Sequence, residues 1–376
     1  MSSLDAELRA VPKQLRQQID QHGFDPKLFK QLAASVGSDP DARNRLTDGV
    51  TAPALSDVGQ LPKRGSEHAE QLEKLGLDAL SKGELAFIVL AGGMATRMGG
   101  VVKALVPALD DLTFLELRLQ ENRTWSQRAG TNVPLWLMTS YATDGKLREA
   151  LGSRLRDDQL TTFVQNVSLR LTEQGTLYRD ADGTPSLYAP GHGDLPEALK
   201  RSGLLQRFIQ GGGKYVWIAN IDNLGASVDP LLLGWHIEHG HAVSVEVVDK
   251  VGSDKGGIPV RWQDRPVILE EFRVPKHFDP ASVRMFNTNT FLVDAHKLAS
   301  LDMAFTWVEV VKKVGPNKAI QFERLIGEIT TVLDTKFLRV PREGVDSRFL
   351  PVKNNEELAH RRDEIRAVAQ SRGMLP

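Results

Sequence analysis

From residue 85 onward the chain alternates short apolar runs with longer segments of mixed polarity. Continuous apolar runs at 87–91, 134–139, 161–164, 215–221, 242–248 and 267–272 predict strands, the first of them buried on both faces. Between several of these, segments 114–127, 195–210 and 230–239 have the length and the flanking breakers of helices. This rhythm predicts an α/β domain with a mostly parallel sheet flanked by helices, where ligands gather at the carboxyl ends of strands. Upstream, helix-like blocks at 8–22, 26–36 and 67–81 are divided by a polar interval holding Gly37, Pro40 and Pro53. The expected organisation is a helical amino-terminal segment over 1–82, a main domain over 83–353, and a charged helix within 354–376.

The most informative strand is the one that ends in glycine. Phe87-Ile88-Val89-Leu90-Ala91 runs into Gly92-Gly93-Met94-Ala95-Thr96-Arg97-Met98-Gly99-Gly100. Adjacent glycines lack the Cβ that holds a flat base or a polyphosphate away from the backbone. Thr96 adds a donor hydroxyl and Arg97 a permanent cation, both suited to phosphate oxygens. The same residue types also fit a plain strand-to-helix turn with a solvated Arg97. Neither G-x-G-x-x-G nor G-x-x-x-x-G-K-[ST] occurs here, so the dinucleotide fingerprint and the P-loop are excluded as its explanation.

Composition narrows the partners. The 376 residues are 41% hydrophobic and carry a net charge of −1, so no global basic field draws in nucleic acid or an anionic membrane. Without cysteine the chain has no disulfide, no thiolate nucleophile and no cysteine-ligated metal. No apolar run reaches about 18 residues and the amino terminus lacks a cationic and apolar signal region, which leads us to expect a soluble, cytoplasmic protein.

The remaining candidates follow strands. Gln165 presents an amide able to pair with a donor and an acceptor on a base edge, or simply an exposed loop side chain. In Pro190-Gly191-His192-Gly193-Asp194 the glycines expose the imidazole to a ligand, while Asp194 reads as the cap of the helix that follows. Asn220-Ile221-Asp222-Asn223-Leu224-Gly225 delivers a carboxylate at a strand end. One such oxygen ligand suffices for magnesium, which fills the rest of its shell with water and substrate phosphates. A turn-forming Asx motif at Asp222-Asn223 is the competing reading. Lys255-Gly256-Gly257 opens a strand-like segment. Phe286-Asn287-Thr288-Asn289 sets two amides on one face of an extended chain, suited to sugar hydroxyls or to a plain polar edge. Arg348-Phe349-Leu350-Pro351-Val352-Lys353 ends in a lysine whose default place is the surface.

Taken together and in order, these motifs resemble those of UTP:sugar-1-phosphate uridylyltransferases, the eukaryotic-type UDP-glucose and UDP-N-acetylglucosamine pyrophosphorylases. The resemblance covers residues from about 85 to 358. It implies a nucleotidyltransferase (GT-A/Rossmann-like) fold and the conversion of UTP and a hexose 1-phosphate, most simply glucose 1-phosphate, to UDP-sugar and pyrophosphate. It further implies that Gly92, Gly93, Gln165, Gly191 and His192 contact the nucleotide, and that Asn220, Asn289 and Gly257 contact the sugar. Asp222 would hold Mg2+, and Arg97, Lys103 and Lys353 would carry the catalytic charge.

Three features depart from the family pattern. Thr96-Arg97 reads like the UDP-N-acetylhexosamine branch, whereas the later motifs read like the glucose branch. Lys103 lies one residue closer to Arg97 than expected, without the preceding proline. The chain beyond Lys353 is too short for the carboxy-terminal β-helix by which relatives associate, so a monomer or weak dimer is expected. Two rival functions remain open: a glycosyltransferase consuming a UDP-sugar, against which the lack of an Asp-x-Asp metal motif counts, and a noncatalytic nucleotide-sugar sensor.

Overall fold

A computed structural model describes residues 3–95, 98–252 and 254–375. Its centre is an eight-stranded sheet built from Val58–Gln60 (β1), Leu85–Leu90 (β2), Leu135–Thr139 (β3), Leu160–Val164 (β4), Tyr215–Asn220 (β5), Val243–Asp249 (β6), Met285–Asp294 (β7) and Thr335–Arg339 (β8). The spatial order is β1-β8-β6-β7-β5-β2-β3-β4. All neighbours are parallel except β7, which runs antiparallel to both β6 and β5.

The apolar run of β2 shows why this strand is central. Leu85, Phe87 and Val89 enter one hydrophobic cluster, and Ala86, Ile88 and Leu90 enter the cluster on the opposite face. Successive strand residues point to opposite faces, so a continuous run supplies both cores at once. Trp217 of β5 and Trp136 of β3 do the same on opposite sides, each fully buried.

Helices Glu67–Ser81 and Pro230–His239 pack closely because each offers a glycine at the contact. A Cβ on Gly76 would overlap the Pro230 carbonyl, and one on Gly234 would overlap that of Leu72.

Several expected elements are divided by breakers. The 8–22 block becomes Ser3–Arg9 and Lys13–Gln21, interrupted around Pro12. The 195–210 block becomes Leu195–Ser202 and Leu204–Gln210, separated by Gly203 at φ 71°. The terminal helix splits at Arg361 into Asn355–His360 and Arg362–Ser371.

Strands also appear where helix or no element is expected. Within 1–82, β1 edges the main sheet, and Val50–Thr51 joins a small sheet with Gly257–Trp262 and Arg265–Glu270. The 267–272 strand therefore belongs to that small sheet and not to the central one. Among the described residues no helix is long and apolar enough to cross a membrane.

Candidate active site

The carboxyl ends of β4, β3, β2, β5 and the start of β7 bring most of the candidates together. After β2 the chain makes a short antiparallel hairpin, Met94–Ala95 against Val101–Val102. The hairpin returns Lys103 to the glycines, where its N–H donates to the Gly93 carbonyl at 3.1 Å. Thr96 and Arg97 lie outside the described residues. A Cβ on Gly92 would stand 2.8 Å from Gln165 Nε2, so the absence of a side chain there is what lets the Gln165 amide approach. The Gly92 carbonyl accepts from Ser140 Oγ at 2.9 Å, and Gln165 N–H donates to Thr139 at 2.9 Å. Gly93 is different, because a Cβ there would meet nothing within 4 Å among the described residues. Its surroundings are open.

Asn220 ends β5 in register with Leu90, which places Asp222 beside the glycine turn. Lys103 Nζ lies 2.5 Å from Asp222 Oδ2, with both side chains only partly exposed. The hairpin thus delivers Lys103 to the strand-end carboxylate in spite of its unusual spacing. The turn after Asp222 is held by its neighbour. Asn223 is 1% exposed; its Nδ2 donates to the Arg348 carbonyl at 3.2 Å and its Oδ1 accepts from Leu350 N–H at 2.7 Å. A Cβ on Gly225 would meet the same Ser347–Arg348 backbone at 2.7 Å. The 220–225 motif therefore has two parts, an ionic one at Asp222 and a structural one at Asn223 and Gly225.

Asn289 Nδ2 donates to Asn220 Oδ1 at 3.0 Å. The regular alternation expected for Asn287 and Asn289 fails here. Val245 faces Phe291 but Val247 faces Asn287, so residue 246 is opposed by residues 288, 289 and 290. Asn289 occupies this bulge with φ 58°, a left-handed conformation that costs energy for a residue with a Cβ. Asn287 holds the bulge in place by accepting the Asn289 N–H at 3.0 Å. Strain of this kind concentrates at binding sites. Gly257 lies close by, where a Cβ would stand 3.1 Å from Asn287 Nδ2.

The glycines beside His192 also act differently from expectation. They admit a neighbouring segment, while Gly191 and His192 themselves stay half-buried. A Cβ on Gly191 (φ 110°) would lie 2.7 Å from the Arg324 carbonyl, and one on Gly193 would lie 2.6 Å from Leu325 N. His192 Nδ1 accepts the Ile326 N–H at 2.9 Å, which puts the neutral ring's proton on Nε2. Burial pushes its pKa down to about 4 despite the nearby Glu323, so at neutral pH His192 is a neutral donor and not a cation. Asp194 is fully buried and makes no side-chain cap bond to the helix it precedes. Its partners are Arg324 and the Asn166 N–H.

Two residues complete the picture. Lys353 is exposed, three residues beyond the Leu350 that Asn223 holds. It helps depress the pKa of Asp254: burial there acts upward, but hydrogen bonds from Arg342 and the Val251 N–H and the charges of Arg342 and Lys353 prevail. Glu270, which sequence reasoning passed over, pairs with Gly257 in the small sheet. Burial, with the like charge of Glu271, pushes its carboxyl up to about 7 against the pull of Arg273. Its strand partner Gly257 is the glycine that lies close to Asn287. Its sequence signal, a single glutamate closing an apolar run, is indistinguishable from a solvated strand end.

A glycine hairpin, a base-sized amide and a strand-end carboxylate on a mostly parallel sheet define a nucleotidyltransferase-type α/β protein. The comparisons with known proteins agree and go further. Residues 27–372 match the family model of UTP–glucose-1-phosphate uridylyltransferase, and the chain belongs to that family. A UTP–glucose-1-phosphate uridylyltransferase of Encephalitozoon cuniculi is 31% identical over 288 residues, 73% of this chain and 57% of that protein. The chain spans about three fifths of the length of the curated relatives it matches. Among solved structures, a UDP-glucose phosphorylase from Trypanosoma brucei superposes with a TM-score of 0.72 at 25% identity, covering 89% of this chain and 74% of that one. The uridine diphosphate N-acetylglucosamine pyrophosphorylase of the same organism shares the fold, with a TM-score of 0.71 at 22% identity over 96% of this chain and 84% of that one.

Proposed function

We propose that this protein transfers the uridylyl group of UTP to a hexose 1-phosphate, with glucose 1-phosphate as the favoured acceptor, and releases pyrophosphate. The observation that carries the reading is the Lys103–Asp222 pair set against the Gly92–Gly93 turn, with Gln165 lying across Gly92. In the reaction a phosphate oxygen of the sugar attacks the α-phosphorus of UTP as the bond to the β-phosphate oxygen breaks. Two polyanions must be brought into line, so the protein's task is alignment and charge neutralisation; no covalent nucleophile is required.

The Gln165 amide pairs with the uracil edge while the Gly92–Gly93 backbone lets the base and the phosphates come close. His192 donates from Nε2 to nucleotide or sugar oxygens. Asn220, Asn289, Gly257 and Glu270 receive the hexose. Lys103 exchanges its carboxylate partner for phosphate oxygens, and Arg97 and Lys353 add positive charge where the leaving pyrophosphate forms. The donor set fits Mg2+: a single, partly exposed strand-end carboxylate, with substrate phosphates to complete the shell. Held by Asp222, the ion would supply further charge neutralisation at the phosphates.

We assign this chemistry to residues 83–353, with 1–82 and 354–376 as flanking segments. The exposed charges of the terminal helices favour a monomer or weak dimer, which light scattering at micromolar concentration tests.

A pyrophosphate-release assay with UTP and either glucose 1-phosphate, galactose 1-phosphate or N-acetylglucosamine 1-phosphate, with and without Mg2+, tests the reading. Release with UTP and glucose 1-phosphate that requires Mg2+ is expected. Release only with N-acetylglucosamine 1-phosphate moves the specificity to the other branch. Nucleotide binding with no release from any acceptor indicates a sensor.

A further inference from the structure

We propose that Asp194 is a positioning residue that locks the Gln165 loop to the His192 loop and thereby sets the preference for a uridine nucleotide. The inference rests on the reading of Gln165 as the residue that meets the base. Asp194 lies two residues after His192 and is fully buried. Its Oδ2 accepts the N–H of Asn166, the residue next to Gln165, at 3.0 Å. Its Oδ1 accepts both Nε and Nη2 of Arg324, at 2.8 and 2.5 Å.

Arg324 belongs to the segment that clamps the histidine loop. Its N–H donates to Pro190, its carbonyl accepts from Gly193, and two residues on Ile326 N–H holds His192 Nδ1. Its guanidinium also reaches Glu197 at 2.7 Å and lies 4.5 Å from the ring centre of Trp307. One carboxylate therefore ties together three segments distant in sequence.

The residues on both sides of Gln165 are fixed by this network. Asn166 Nδ2 donates to Glu197 at 2.7 Å and its Oδ1 accepts from Arg201 at 2.8 Å. A second nitrogen of Arg201 donates to the Val164 carbonyl at 2.8 Å. The Gln165 side chain is left to Gly92 and the ligand. A buried ion pair is a poor source of net stability, because desolvation of both charges offsets their attraction. What this pair supplies is direction, since bonds from two other segments converge on one carboxylate. An amide that reads a base edge depends on such placement, as a hydrogen bond misplaced by an ångström loses most of its discrimination.

The test compares the whole chain with its Asp194→Asn and Arg201→Ala variants, by competition calorimetry with UTP and ATP, by thermal unfolding, and by KM for UTP against kcat. Arg201 is exposed, so its truncation keeps the test readable even where Asp194→Asn fails to fold. In Asp194→Asn, UTP affinity is expected to fall about tenfold, or about 1.4 kcal/mol, with ATP affinity little changed. Its KM for UTP should rise more than kcat falls. Arg201→Ala should lose about threefold in the same sense. An unchanged UTP to ATP ratio in the folded variants, whatever the shift in melting temperature, overturns the proposal and leaves Asp194 a packing residue. A parent protein that does not prefer UTP instead removes the base-reading role of Gln165, on which the proposal stands.

Discussion

Lys103 Nζ and Asp222 Oδ2 stand 2.5 Å apart across the glycine turn, so the carboxylate proposed to anchor Mg2+ is already charge-compensated in the ligand-free protein. On this reading Asp222 would hold the ion and Lys103 would turn to phosphate oxygens, so ligand binding would have to open the pair. Asp222→Asn is therefore expected to lower kcat by about a hundredfold to a thousandfold, the usual effect of removing one preorganised electrostatic group. Because both partners are partly exposed, thermal unfolding without ligand should lose about 1 kcal/mol or less. Full turnover with unchanged magnesium dependence in this variant would dismiss Asp222 as the anchor.

Gly92→Ala probes the wall shared with Gln165. The added methyl would lie 2.8 Å from Gln165 Nε2, the end of a flexible side chain, so the protein should fold and the amide should swing away. We expect UTP binding about tenfold weaker by calorimetry, or about 1.4 kcal/mol, with a melting temperature near that of the parent. Equal UTP affinity would show that the Gln165 amide does not touch the base.

Glu270 makes stability depend on pH. Its folded pKa of about 7 stands above its ordinary 4.5, so the folded state holds the proton more tightly than the unfolded chain. The associated stability is present below about pH 4.5 and is lost as pH rises through 7, up to about 3 kcal/mol from the size of the shift. Asp194, raised by burial to about 6, acts in the same direction, whereas His192 and His236, lowered by burial to about 4, act oppositely as pH falls below 6.5. The comparison with Glu270→Gln isolates one term: the variant should gain stability over the parent between pH 5 and 8 in denaturant titrations. Parallel curves across that range would place Glu270 in ordinary solvent.

Asn289 combines a left-handed backbone with a side-chain bond to Asn220. The two can be separated. Asn289→Gly keeps the backbone available, whereas Asn289→Ala adds about 1 kcal/mol of strain. Both should weaken hexose 1-phosphate binding to a similar extent, and only the alanine should also lower the melting temperature. Acceptor KM unchanged in both variants would remove Asn289 from the sugar site.

Much of the fold is legible in the chain. The β2 run is apolar at every position because two cores need it, and the break into Gly92-Gly93 marks its exit without reference to anything distant. Helix 67–81 is read to the residue because Ser66 caps it and its apolar face repeats at helical spacing. By contrast, β7 carries Asn287, Thr288, Asn289 and Thr290 through the middle of the sheet. Their polarity suggests an edge; inside the sheet Asn287 accepts the Asn289 N–H, Thr288 Oγ1 donates to the Glu246 carbonyl and Asn289 Nδ2 donates to Asn220, whereas Thr290 Oγ1 is buried without a partner among the described residues.

By itself the sequence determined the α/β class, the central strands β2 to β6, and the strand-end positions of Gly92, Gln165 and Asp222. Those follow from local periodicity and from glycine's missing Cβ, which act within a few residues. The tertiary structure alone decided that Lys103 pairs with Asp222, that Gly191 and Gly193 admit Arg324 and Leu325, that Asp194 braces three loops instead of capping one helix, and that Glu270 titrates near 7. Each depends on groups far apart in the chain, and on burial and opposed charges that exist only once the strands have assembled.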